Sequence, residues 1–465
     1  MRTVRSGWQG KEPGGGEGGG REGAHGGTHG ASHGSYEPHG LRAAHHGTAP
    51  RLHAIACGVA HAAGAQAAGA HVAGPGRHRP VPPTPTSRFG WTPDERVPLA
   101  PEFPAAAVTE ALAAARTADP ARVRVLSGTA HRNAVVWLPA WQRAVVVRRF
   151  APAVAVRRER GFYSEHSVLE AIRTTYEDGA PDAPRVPRVL ALGRDALGSF
   201  SLHTYEGPLP APARVTPERL TPRHPVNGLR VREADALVDQ LAALTRVDCA
   251  HLEPAAGRPE FFAWLRAELV RLVASLPAPV LARATASGLP GPAGLEALLA
   301  PLTVTHRTPG LLHGDLNPWN LVRLPGDDLA LIDWELALTG DPLHELVRHL
   351  HLAPARPSLR KRMLERWSRA LPPDRTAGWK RDAPVYAHIE RLRSAYLDLD
   401  RIVTGSALDA PNVARAVRRY GRTLAAAHAS LAALAEGPGA PAPYVAPAPH
   451  ALAAPRPPVA PAPSA

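Results

Sequence analysis

The sequence predicts an α+β chain of two lobes, a small antiparallel sheet lobe with one helix followed by a mainly helical lobe, between disordered termini. Three observations carry this. Short runs of β-branched residues between 122 and 148 lie close enough together to pair as neighbouring strands, and beyond them apolar residues recur at helical spacing. Gly (41) and Pro (51) gather at the two ends, where too few aliphatic and aromatic residues remain to offset the entropy of ordering the backbone. The expected division is a Gly/His/Ala/Pro-rich extension over 1–95, a sheet lobe over 96–207, a helical lobe over 208–435 and an Ala/Pro-rich tail over 436–465.

Within the extension, His25, His29, His33, His39, His45 and His46 recur at short intervals. A metal-binding tract would need a completed shell, but no Cys or carboxylate is placed to supply one and the intervening Gly makes ordering costly, so the segment reads as disordered. The first strands follow. Arg122–Leu126 and Asn133–Leu138 flank the turn Ser127-Gly128-Thr129, and Ala144–Arg148 forms a third. Phe162, Val168, Leu169 and Ile172 then fall on one face of a helix over Arg157–Thr174. Pro187–Leu192 and Phe200–Tyr205 are two more strands, and Glu206-Gly207-Pro208 turns the chain toward the second lobe. There, helices are expected over Val231–Leu244, Phe261–Leu276, Leu343–Leu352, Arg360–Leu371, Ala387–Leu399 and Val413–Leu434, interrupted by strands and loops around 311–336.

The formal charge of +13 raises nucleic acid as a partner, yet the basic residues are almost all Arg scattered along the chain, with lysine only at Lys11, Lys361 and Lys380. No basic stripe interleaves with aromatics, so no nucleic-acid partner is expected. No uninterrupted apolar stretch of about 18 residues occurs, so no membrane span is expected. Cys57 and Cys249 have neither metal-motif spacing nor the number of a disulfide framework, which fits a reducing cytoplasm.

One segment concentrates the chemistry. His313-Gly-Asp315-Leu-Asn-Pro-Trp-Asn320 is followed by Ile332-Asp333-Trp-Glu335. Moving a γ-phosphoryl group requires a carboxylate at the acceptor hydroxyl, ligands that hold Mg²⁺ on the nucleotide oxygens, and a cation over the phosphates. Asp315 can orient or deprotonate the acceptor, Asn320 and Asp333 can reach a metal, and Glu335 can reach a second metal or a water. The short apolar runs Leu321-Val322 and Leu329–Ile332 around the turn Pro325-Gly326-Asp327 form a hairpin that carries Asn320 and Asp333 to the same end. Taken singly, each Asp is more often a turn or capping residue. His313 reads as a buried backbone-bonding residue and Trp319 as loop packing. Upstream, Ser127-Gly128 precedes a strand ending in the cation Arg148, and Glu165 on the next helix can pair with that cation. On the helical lobe, Glu390, Asp398 and Asp400 either contact a polyamine-like acceptor or form a solvated face.

These residues resemble the aminoglycoside phosphotransferase and choline kinase-like family, which has a bilobal protein kinase-like fold. The resemblance covers about 120–350 well and the helices to about 435 more loosely. It implies ATP and Mg²⁺ as cofactors and a small-molecule hydroxyl as acceptor. It implies Asp315 as catalytic base, Asn320 and Asp333 as magnesium ligands, and Gly340-Asp341-Pro342 as the start of a supporting helix. Arg148 stands where family members carry a strand-borne Lys or Arg, Glu165 stands at its partner's position, and His203-Thr204-Tyr205 looks like the adenine-contacting hinge. With Ser127 and Gly128 these complete the nucleotide site. A catalytically idle nucleotide-binding or regulatory protein on the same fold is the alternative, against which the intact Asp315, Asn320 and Asp333 speak.

Overall fold

The computed structural model describes residues 90–436, apart from 96, 98, 128–130, 151–162, 177–179, 210–214, 253–260 and 406–409. The segments expected to be disordered thus fall almost wholly outside the described residues, as do the His tract, Gly128 and the first third of the expected 157–174 helix.

The first lobe is a six-stranded antiparallel sheet in the order β1-β5-β6-β4-β3-β2. Its elements run β1 (Trp91–Pro93), α1 (Ala105–Thr117), β2 (Val123–Ser127), β3 (His131–Leu138), β4 (Arg143–Phe150), α2 (Glu165–Thr175), β5 (Val189–Asp195) and β6 (Gly198–Thr204). Sequence reasoning found five of these strands and missed β1 and α1. The valine run of β4 suits a central strand packed on both faces. Alternation along the pleat sends Val145 and Val147 into the core under α1, with Ala134, Val136, Leu138 and Leu202. Val146 and Arg148 therefore point to the opposite face, beside Val135, Trp137 and Tyr205. The second helix is also not where its sequence position suggests. Val168, Leu169, Ala171 and Ile172 of α2 pack into the core of the helical lobe rather than the sheet's.

That second lobe comprises α3 (Val231–Leu244), α4 (Phe261–Ala274), α5 (Ala278–Ala286), α6 (Pro292–Leu299), β7 (Gly310–Leu312), β8 (Leu321–Arg323), β9 (Leu329–Leu331), β10 (Leu338–Gly340), α7 (Pro342–Leu352), α8 (Pro357–Ala370), α9 (Pro373–Thr376), α10 (Trp379–Gly405) and α11 (Ala410–Ala435). Its core buries Trp334, Trp367, Tyr386 and Tyr396 almost completely. Two two-stranded ladders lie within it: β10 pairs with β7, and β8 with β9. No single helix among the described residues is long and apolar enough to cross a membrane.

Candidate active site

The two small ladders frame the loop His313–Asn320. β7 delivers the chain to it, held by the pairing Leu312↔Leu338, and β8 carries the chain away. Gly314 adopts φ +78°, and a Cβ there would lie 2.2 Å from the Leu336 carbonyl oxygen, so only glycine fits between the loop and its neighbour. The His313 ring is fully buried; its Nε2–H donates to the Ile332 carbonyl at 2.9 Å, and its Nδ1 accepts from the Asp315 amide at 3.3 Å. Burial lowers its pKa, so the neutral ring serves as a brace between the two motif segments.

Asp315 is held from three sides. Its Oδ2 accepts from Asn317 Nδ2 at 3.0 Å and Asn320 Nδ2 at 3.3 Å, and its Oδ1 from Arg348 Nη2 at 3.4 Å. Asn320 Nδ2 also donates to the Asp315 carbonyl at 2.8 Å, which leaves Oδ1 as the amide atom that can ligate a cation. The β8–β9 register, extended by the Ile332 amide donating to the Asn320 carbonyl at 3.0 Å, sets Asp333 one residue from Asn320's partner. Asp333 has φ +70°, a left-handed conformation that costs a non-glycine residue about 1 kcal/mol. The turn aims its carboxylate out of the ladder toward the sheet lobe.

From that lobe comes Arg148. Its guanidinium bridges the lobes, with Nη1 2.6 Å from Glu165 Oε1 and Nη2 2.6 Å from Asp333 Oδ1. Burial alone would lower its pKa, but the two carboxylates outweigh it and the net shift is upward. Desolvation likewise works to raise the Asp333 pKa and is overcome by Arg148 and His131, leaving it below the usual carboxylate range. Glu165 Oε1 also accepts from the Trp334 amide at 3.1 Å, so one carboxylate fixes both the cation and the chain beside Asp333. Glu335 is pushed up to about 8, by burial first and then by the charge of Asp333.

The remaining residues expected at a nucleotide site lie in or just after the strands of the sheet. Ser127 ends β2 opposite Arg132. His203 lies opposite Val146 on β6, and its buried ring is held well below the ordinary histidine range by desolvation and then by the charge of Arg148. The Thr204 amide is already donated to the Arg188 carbonyl at 2.9 Å, and its hydroxyl donates to Glu206 at 2.6 Å. Tyr205 follows in irregular backbone, largely buried. Trp319 packs against His224 with ring centroids 5.4 Å apart and the planes tilted by 55°.

Several residues of the site escaped sequence reasoning. His131 opens β3 with Nδ1 3.1 Å from Arg148 Nη2 and 3.4 Å from Glu335 Oε2; His131, Asp333 and Glu335 bring three donor atoms within 4.8 Å of one another. On α7, Glu345 Oε2 accepts from the Gly314 amide at 2.9 Å, and Arg348 Nε donates to the Gly314 carbonyl at 3.0 Å. Their spacing of three along one helix was the available signal. Asp341, expected from the sequence at the start of that helix, caps it by accepting from the Leu343 amide at 2.9 Å and is gripped by Arg307 and the Tyr386 hydroxyl. Glu390 and Asp400 are buried rather than on a solvated face. Glu390 takes Arg348 Nη1 at 2.5 Å and His344 Nε2 at 3.1 Å, and Asp398 accepts from Arg401 Nη1 at 2.9 Å and from the Thr423 hydroxyl at 3.3 Å.

No curated protein matches the sequence. Among solved structures the chain is similar to a macrolide 2′-phosphotransferase from Brachybacterium faecium (19% identity, 72% of this chain and 99% of the other, TM-score 0.39). It is also similar to an ethanolamine kinase from Plasmodium vivax (12%, 68% and 83%, TM-score 0.46) and a choline kinase from Streptococcus pneumoniae (16%, 67% and 95%, TM-score 0.41). The model of the phosphotransferase enzyme family matches residues 122–385, which take in β2 through the first turns of α10 and every residue of the constellation above up to Glu345 and Arg348. The chain belongs to the phosphotransferase enzyme family, ATP-dependent enzymes that move a phosphoryl group onto a hydroxyl of a small molecule.

Proposed function

We propose that this chain moves the γ-phosphoryl group of ATP to a small-molecule alcohol with Asp315 as the base. The acceptor oxygen bonds to the γ-phosphorus, the bond from that phosphorus to the β,γ-bridging oxygen breaks, ADP departs with the electron pair, and the hydroxyl proton passes to Asp315. The observation that carries the reading is the Arg148 bridge, which joins the sheet lobe's buried Glu165 to Asp333 beside the loop that holds Asp315.

The donor set fits a hard divalent cation. Asn320 Oδ1 and an Asp333 oxygen are the hard ligands that would hold Mg²⁺, which when bound neutralises charge on the phosphate oxygens. Arg148, braced by Glu165, offers its guanidinium to the phosphates, and Ser127 at the end of β2 borders them. His203-Thr204-Tyr205 forms the wall against the adenine. With Cys249 as a free thiol, a reducing cytoplasm is the compartment that suits the chain.

The test is a library of hydroxyl compounds incubated with the full chain and ATP, with and without Mg²⁺, and read by mass spectrometry. Expected is an addition of about 80 Da, one phosphoryl group, to at least one alcohol only when Mg²⁺ is present. Tight ATP binding with no acceptor modified across the library would instead favour an idle nucleotide-binding protein.

A further inference from the structure

A cleft of about 390 Å³ opens between the C-terminal half of α7, the middle of α10 and α11. Its inner end is Arg348, the residue whose Nε bonds the Gly314 carbonyl and whose Nη2 lies 3.4 Å from Asp315 Oδ1. Arg348 is thus the lining residue that also touches the loop at the carboxylate assigned to the acceptor.

Its charge is lopsided. Arg348, Arg391, Arg393, Arg401 and Arg422 line it, against only two carboxylates, Glu390 and Asp398, a formal excess of three positive charges. Both carboxylates are already engaged. Glu390 is 1% exposed, with one oxygen on His344 and the other on Arg348, and Asp398 is shared between Arg401 and the Thr423 hydroxyl. Glu390 is closed to a ligand, and Asp398, though partly exposed, has both oxygens engaged. His351 adds no charge, since burial, joined by the neighbouring guanidinium groups and only partly offset by Glu390, holds its pKa below the ordinary value; its Nε2 lies 2.7 Å from the Ser394 hydroxyl. A polycationic ligand would bring like charge into a cleft whose anions are spent. An oxyanion would meet guanidinium groups of the geometry best suited to it.

We propose that this cleft is the acceptor subsite and that it takes an alcohol bearing a carboxylate or phosphate group, rather than a polyamine or quaternary ammonium alcohol. The inference rests on the phosphotransferase reading, in that the acceptor's hydroxyl must reach Asp315 while its anionic group sits among the arginines. Arg391 and Arg422 act here as specificity-determining residues, remote from the phosphates.

The test is binding to the full chain with the nucleotide site filled by Mg²⁺ and the non-hydrolysable analogue AMPPNP. The probes are 3-phosphoglycerate, which carries a hydroxyl, a carboxylate and a phosphate, and, in separate titrations, choline and kanamycin. Expected is 3-phosphoglycerate affinity at least about 10-fold above either cation, the effect of roughly one additional charge-assisted contact. The double charge reversal Arg391→Glu/Arg422→Glu should lower it about 10-fold or more and leave AMPPNP affinity unchanged, which also shows that the variant folds. Tighter binding of choline or kanamycin, no binding of 3-phosphoglycerate, or unaltered binding in the variant would each overturn the proposal. AMPPNP affinity is the separate readout: its absence in the wild type, with 3-phosphoglycerate still held through Arg391 and Arg422, would keep the anion subsite and remove the phosphotransferase reading.

Discussion

Arg148 shows how one side chain is made to serve two lobes. A guanidinium presents several donors in a fixed fork, and two of its nitrogens reach Glu165 and Asp333 at once while the second of them also lies 3.1 Å from His131. Its replacement by Met leaves the buried Glu165 carboxylate without its cation, and we expect a loss of about 3 kcal/mol of unfolding free energy, measured by chemical denaturation. Stability within about 0.5 kcal/mol of wild type would mean that the bridge is not integral to the fold. The residues of this pair were legible in the sequence because each sits at a fixed place in a local pattern, a cation at the end of a valine run and an acid on the helix that follows. The pairing of Arg348 and His344 with Glu390, itself read only as an acceptor contact or part of a solvated face, was not. Their partners lie more than 40 residues away on another helix, and a helical period registers which face a residue takes but not what that face meets.

At the level of elements, the hairpin β8–β9 and the loop before it were readable from short apolar runs and a Pro-Gly turn, whereas α1 was not. Its sequence Ala-Ala-Ala-Val-Thr-Glu-Ala-Leu-Ala-Ala-Ala-Arg-Thr is strongly helix-favouring, but alanine gives little amphipathic contrast and resembles the Ala-rich ends of the chain. Buried α7 supports the loop from below, and this support should be measurable. Gly314→Ala combines a positive φ with a Cβ that would meet the Leu336 carbonyl at 2.2 Å, and about 3 kcal/mol or more should be lost. A variant as stable as wild type would mean that the loop can relax. His349 braces the same loop through the Leu316 carbonyl, 2.9 Å from Nδ1, and burial pushes its pKa down to about 4 from an ordinary 6.5. Between those values the unfolded chain takes up a proton that the native ring excludes, so this stability is present above pH 6.5 and lost as pH falls toward 4. The expected contribution to the loss between pH 7 and pH 5 is about 2 kcal/mol. His349→Asn, which keeps a donor near the Nδ1 position, should flatten that slope in denaturation curves; an unchanged slope would assign the loss to other groups.

For the whole molecule, the boundary of the sheet lobe lies close to the start of the described residues. Trp91 is buried, donates its indole N–H to Thr109 Oγ1 at 3.0 Å and packs edge-on against Phe200 with centroids 5.7 Å apart. Removing residues 1–89 should leave stability unchanged, while removing 1–95 takes β1 away and should cost about 3 kcal/mol, the range for loss of a buried Trp. Equal stability of the two truncations would place β1 outside the folded unit. The two-lobe organisation itself was readable from the sequence, because a valine-rich sheet segment and a helical segment differ in period. The packing of α2 into the second lobe's core was not, since it depends on what its apolar face meets. The central claim is that residues from both lobes form one site with divided roles, Asp315 for the acceptor and Asn320 with Asp333 for the metal. Its most direct test is to measure kcat and Mg²⁺-ATP affinity together for Asp315→Ala and Asp333→Ala, using an alcohol found to be phosphorylated. The account predicts that Asp315→Ala loses about 10²- to 10⁴-fold in kcat with ATP affinity nearly unchanged, while Asp333→Ala loses Mg²⁺-dependent nucleotide affinity. Near-wild-type turnover in both variants would contradict it.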